Sequence, residues 1–84
     1  MQVPPGCPMT LDALPILQAA TIDQVEGEEP VAVRMRAMGL RAGREVMVVR
    51  RSRLGGPLQV RVGSTDLIIR PQEARLVRIR AGSR

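Results

Sequence analysis

Eighty-four residues, 44% of them apolar, suffice for one small hydrophobic core and exclude a second. There is no Phe, Tyr, Trp or His, so the core must come from Val, Ile, Leu, Met and Ala, and histidine-based catalysis is excluded. All 13 basic residues are arginine against eight acids, a net charge of +5, and the single cysteine excludes an internal disulfide.

No apolar run approaches the roughly 20 residues of a membrane span. The first residues lack a basic-then-apolar leader pattern, so the expectation is a soluble, cytoplasmic protein. Residues 1–10, MQVPPGCPMT, hold three prolines and a glycine and read as a disordered or extended tail. Thr10 or Asp12 can cap a turn at Leu11–Leu14, ahead of Pro15, with Leu14 and Leu17 docking on the barrel built by the later strands. Gln18–Val25 reads as the first strand, with Ala20 and Ile22 on one face and a bulge near Asp23 and Gln24 that turns Val25 inward. An acidic loop, Glu26–Glu29, leads into a short helix from Pro30 to Met38. Proline suits a first helical turn, and Val31, Met35 and Met38 recur on one face.

Gly39 is placed to end that helix in the left-handed region, with Leu40 folding back onto it. Arg41–Arg44 reads as a turn, with Gly43 free to take positive φ. Glu45–Ser52 and Leu58–Val62 read as strands of a hairpin joined by a glycine-rich loop. Gly63-Ser64 marks a tight turn into a strand at Thr65–Arg70. Pro71–Ala74 fits one 3₁₀ turn, and Leu76–Arg80 is the last strand, with Val77 and Ile79 inward and Arg78 and Arg80 outward. Residues 81–84 should fray. The pattern predicts an all-β domain over residues 11–80: a small, closed or half-closed barrel of five short strands with one inserted helix.

An ordered set of segments resembles the FeoA family of small cytosolic accessory proteins of bacterial ferrous-iron transport. It comprises Leu11-Asp12-Ala13-Leu14, Met38-Gly39-Leu40, and Gly43 with Val46 and Val48. Leu54-Gly55-Gly56-Pro57-Leu58, Leu67-Ile68-Ile69-Arg70 and Glu73-Ala74 complete it. The resemblance implies an SH3-like β-barrel. It also implies a non-enzymatic adaptor that docks on the cytosolic part of the membrane transporter FeoB and is recruited through it to the inner membrane. Two positions depart: Ala42 stands where the family usually has proline, and Gly63-Ser64-Thr65-Asp66 where it often has an Arg-Gly-aromatic segment.

A rigid barrel would present a loop and an arginine face. The contact candidates are Leu54, Gly55, Gly56 and Pro57, with the helix end at Met38, Gly39 and Leu40. Arg50, Arg51 and Arg53 form the densest basic cluster, which Arg61 and Arg70 extend across the sheet. Met47 and Ile68 fall on the outer face and make a contact patch if they are neighbours. Leu54, at a hairpin tip after three arginines in four residues, is either a lid over the barrel end or an anchor for a partner.

Metal and cofactor chemistry has little to work with. Cys7 and Met9 are soft ligands two residues apart in a tail, too few for a closed site. Asp23, Glu26, Glu28 and Glu29 offer oxygens to a hard cation, or simply form a solvated lead-in to the helix. No cofactor is expected. Gly55-Gly56-Pro57 lacks the Lys-Ser/Thr and the helix of a phosphate loop. Two rival readings stand beside the adaptor: a module like those of iron-dependent regulators acting in trans, and a small basic nucleic-acid-binding barrel. The latter is disfavoured by the lack of aromatics for stacking. Self-association is compatible with all three.

Overall fold

Residues 3–82 are described by a computed structural model. In chain order the elements are β1 (Pro8–Thr10), a 3₁₀ turn (Leu11–Ala13), β2 (Ala19–Val25), α1 (Glu29–Ala37) and β3 (Glu45–Arg51). A second 3₁₀ turn (Arg53–Gly55), β4 (Leu58–Val62), β5 (Thr65–Ile69), α2 (Pro71–Ala74) and β6 (Val77–Ala81) complete the chain. The strands form one antiparallel sheet of six, ordered β1-β6-β2-β3-β4-β5, against the five strands that alternation predicts. Among the described residues no ladder joins β1 to β5, so the sheet curls around its core without closing.

The additional strand comes from the proline-rich N-terminal segment. Pro8, Met9 and Thr10 pair with Arg80, Ile79 and Arg78. Proline is tolerated here because β1 is an edge strand, where a missing N–H costs no ladder bond. The segment before it is also held. The Gly6 N–H donates to the Ala81 carbonyl at 2.7 Å, and the Ala81 N–H donates to the Cys7 carbonyl at 3.0 Å. The buried Gln18 amide accepts the Val3 N–H and donates to the Val3 carbonyl, at 2.8 and 2.7 Å. The expected tail is therefore ordered from Val3 onward, while Met1 and Gln2 lie outside the described residues. At the other end Ala81 is buried in β6 and the Gly82 N–H donates to the Ala19 carbonyl. Neither residue frays, and Ser83 and Arg84 lie outside the described residues.

Alternation supplies most of the core: Ala20 and Ile22 from β2, Val46 and Val48 from β3, Leu58, Val60 and Val62 from β4, Ile69 from β5, and Val77 and Ile79 from β6. Leu11, Leu14, Met35, Leu40 and Ala74 complete it from the segments between strands. The bulge expected in β2 is present. The register against β6 slips between Ile22 and Gln24, leaving Asp23 unpaired and Val25 packed on the core. A second bulge, at Val49, interrupts β3 against β4.

The helix ends as its glycine demands. Gly39 takes φ 108°, its N–H donates to the Arg36 carbonyl, and the Leu40 N–H donates to the Met35 carbonyl. That pair of bonds is a Schellman motif, and its hydrophobic partner Leu40 has no exposed surface. Ala32 joins Met35 on the buried face, with Val31 and Met38 half-buried beside them. α2 is one α-helical turn rather than a 3₁₀ turn, since Ala74 and Arg75 donate four residues back, to Arg70 and Pro71. The Glu73 carboxylate inside it is buried but satisfied. It accepts the Arg70 N–H at 3.0 Å and pairs with the Arg34 guanidinium from α1.

Because Leu40 closes both the helix end and the core, Leu40→Ala is expected to cost about 2–5 kcal/mol in chemical denaturation. Leu17→Ala, at a side chain 63% exposed, should leave the midpoint nearly unchanged.

Candidate functional site

The β3–β4 hairpin ends in a loop whose geometry its sequence dictates. Arg51 pairs with Leu58, and the Ser52 N–H donates to the Pro57 carbonyl at 3.1 Å. Within the 3₁₀ turn Gly55 takes φ 73°. A Cβ on Gly56 would meet the Ser52 Cβ at 2.8 Å, so that position needs glycine for close approach. Between Arg53 and Gly55 sits Leu54, left-handed at φ 61° and ψ 35°, with a relative exposure of 104%. A leucine in that conformation costs on the order of 1–2 kcal/mol, and here it buries nothing in return. The lid alternative is excluded: Leu54 covers no part of the core.

Beside the tip, one row of the sheet crosses three strands: Arg50 pairs with Gln59, and Gln59 with Ile68. These side chains, with Ser52 and Pro57, line a shallow hollow of about 230 Å³. Ile68 is 66% exposed on the edge strand. Leu17 donates its N–H to the Val48 carbonyl, and the β2–β3 register carried two steps puts it opposite Val49, on the other flank of the same row. Leu17 does not dock inward as the sequence suggests. It is exposed, and with φ 66° it is the second non-glycine residue of positive φ, Leu54 being the first. Ile16 beside it is also exposed. The signal for both was available in Leu14-Pro15-Ile16-Leu17: a tight turn cannot turn all of its apolar side chains inward.

Met47 and Ile68 are not neighbours. Met47 pairs with Arg61, one row away, and lines a separate hollow with Glu45, Val46, Arg61 and Gly63. The Arg61–Asp66 ion pair at 2.8 Å and the Gln59–Asp66 hydrogen bond at 3.1 Å lie on the outer face between the two. Of the helix-end candidates, Leu40 is fully buried, while Met38 and Gly39 are partly exposed.

The arginines divide sharply by what they hold. Arg34, Arg36, Arg61, Arg75, Arg78 and Arg80 are paired with Glu73, Glu29, Asp66, Asp12, Glu26 and Asp23. Arg51, expected in the basic cluster, instead donates to the Asp12 and Leu14 carbonyls, each at 2.5 Å, and ties the first 3₁₀ turn to β3. Arg41 donates to the Arg36 carbonyl. Among the described residues, Arg44, Arg50, Arg53 and Arg70 have no side-chain partner in the chain. The last three of these sit at the hairpin end of the sheet. The expected stripe is thus broken at Arg61 and concentrated around Leu54 and Ile68.

Three of the four acids offered for a cation are spent in the same way, since Asp23, Glu26 and Glu29 each face an arginine, while Glu28 is exposed and makes no ion pair among the described residues. Met9 packs against the core, and the Cys7 thiol lies 3.8 Å from the Pro8 carbonyl. Among the described residues no three of His, Cys, Asp and Glu cluster to hold a metal. Hydrogen bonds from Arg61 and then Gln59 hold the Asp66 carboxyl below its usual range, and those from Arg78 and then Gln24 do the same for Glu26.

The molecule is thus a small SH3-like β-fold presenting an arginine-rimmed apolar surface at one end, with no helix among the described residues long and apolar enough to cross a membrane. Residues 9–81 match the FeoA domain. The chain belongs to the FeoA family, which is associated with ferrous-iron transport. A FeoA from Stenotrophomonas maltophilia, solved with zinc and described as a prokaryotic SH3-domain protein, is 36% identical over 82% of this chain and 86% of its own, with a TM-score of 0.72. An iron(II) transport protein A from Clostridium thermocellum is 26% identical over 87% of this chain, with a TM-score of 0.83. This chain spans only 45% of that one. A manganese-dependent transcriptional repressor shares the fold at 17% identity and a TM-score of 0.81, over 96% of this chain and 45% of its own. Comparison with curated proteins gave no match.

Replacing Leu54 by asparagine, which tolerates the left-handed region, should raise stability by about 0.5–1 kcal/mol in urea titration, the reverse of a core leucine. The depressed Asp66 and Glu26 carboxyls contribute stability that is present above their unfolded pKa values and lost as pH falls through their folded ones. Asp66→Asn should therefore flatten the acid limb of a stability–pH curve measured below about pH 4.

Proposed function

We propose that this chain is a non-enzymatic accessory protein of ferrous-iron uptake that docks on the cytosolic part of a FeoB-type membrane transporter. It does so through the Leu54–Pro57 loop and the adjoining row of Arg50 and Ile68. The observation that carries the reading is Leu54: a strained leucine, 104% exposed, followed by two glycines at the tip of the β3–β4 hairpin. Strain retained without internal gain marks a position kept for an external contact. Family membership supplies the transport context. The pairing of Asp23, Glu26 and Glu29 with arginines supports a part played through protein contact rather than through an iron site of the chain's own. The fold shared with the manganese-dependent repressor supports a second, regulatory reading, in which the same face would bind a repressor in trans.

The test is co-purification of the tagged protein with the cytosolic domain of the transporter and, separately, with a repressor. Leu54→Asp should weaken the transporter complex by about 2 kcal/mol without lowering the melting temperature, because nothing packs on this side chain and aspartate tolerates the left-handed region. Retained affinity in Leu54→Asp would remove the loop from the interface, and capture of the repressor alone would favour the second reading. Anaerobic calorimetry on the isolated protein should show no tight stoichiometric ferrous-iron binding. A single strong site would overturn that part of the proposal.

A further inference from the structure

The docking reading leaves open what the surface recognises, and the division of the arginines answers it. Six of the chain's eight acids are consumed by arginine pairs, including Asp12 and Glu73, the two that stand beside Arg51 and Arg70. Arg50, Arg53 and Arg70 are exposed and keep their charge uncompensated around Leu54 and Ile68. In the hollow beside the tip, Arg50 and Ser52 lie on one flank and Ile68 on the other, with Pro57 and Gln59 between them, around a space of about 230 Å³, room for one or two side chains. Polar donors thus sit on one flank and the apolar Ile68 on the other, with a protruding leucine beside them.

We infer that this face recognises an acidic, apolar segment of its protein partner: carboxylates pair with Arg50, Arg53 and Arg70, while neighbouring apolar side chains cover Ile68 and receive Leu54. Guanidinium forks suit carboxylates, and because Glu73 and Asp12 are engaged by Arg34 and Arg75, all three remain available. Relief argues for a protein over an anionic bilayer. A lipid surface would take up one leucine, a marginal anchor, and could not fill a hollow whose far wall is Ile68. A peptide carrying an acid next to an apolar residue fills both walls. This inference rests on the docking reading and adds the chemistry of the partner's half.

The experiment uses the full chain and the cytosolic domain of the transporter, with affinity measured across salt concentrations. Reversal of all three arginines (Arg50→Glu, Arg53→Glu, Arg70→Glu) should weaken binding by about 100-fold and invert its salt dependence, so that residual affinity rises rather than falls with salt. The unpaired Arg44, near Gly63 at the opposite end of β3, is the control, and Arg44→Glu should leave affinity within about twofold. Circular dichroism melts check that the variants remain folded. If Leu54→Asp abolishes binding while the triple reversal does not, docking stands and the acidic partner segment is wrong. If the wild type does not bind the domain at all, both ideas fall. If the triple reversal instead abolishes binding to phosphatidylglycerol-containing vesicles, with no arginine dependence toward the transporter domain, the face is a lipid contact and the inference is overturned.

Discussion

A core with no aromatic ring cannot plug its own ends, and the rest of this structure depends on how that shortage is met. Branched aliphatics on six short strands leave the curled sheet open. The space is closed by side chains from elsewhere: Leu11 and Leu14 from the first 3₁₀ turn, Met35 and Leu40 from α1 and its cap, and Ala74 from α2. Each plug is tied down by polar bonds. Arg51 reaches back to the carbonyls of Asp12 and Leu14, and the buried Glu73 links α2 to α1 through Arg34. Lysine, a single ammonium, could not bridge two carbonyls with the same planar fork. Part of the arginine content is therefore architectural.

This division explains why the strands were legible in the sequence and the surface was only half so. Alternation in Leu58–Val62 and Val77–Ile79 reports directly which face is buried, and Gly39 announces the helix end, because both are local constraints. β1 was invisible because pairing with β6 is a contact across the whole chain, and Pro8-Met9-Thr10 carries no alternation of its own. Arginines are identical in the sequence. Nothing at Arg51 distinguishes it from Arg50 or Arg53 until a bulge at Val49 and the path of Leu11–Leu14 bring two carbonyls within its reach.

The candidate site shows the same boundary. Leu54 stood out in the sequence because its neighbours are arginines and glycines, and the structure keeps it outside. Leu40 stood in an equally suggestive segment but belongs to the core, because a capping motif needs a hydrophobic partner. Met47 and Ile68 share parity without sharing a row: parity fixes the face of a sheet, and only register fixes position along it.

The clasp between the two ends of the chain has a consequence for how the fold travels. Gly6 and Cys7 are hydrogen-bonded to Ala81, and Gly82 lies against Ala19 and Ala20, so entry and exit points adjoin. A unit with adjoining entry and exit can be spliced into another polypeptide, appended to it or duplicated in tandem without threading a connection across its own body. Such portability suits an architecture that also occurs as less than half of a repressor chain. It makes the clasp an attachment point for fusion proteins, in which a short tether at either end would leave the sheet and its arginine-rimmed tip intact.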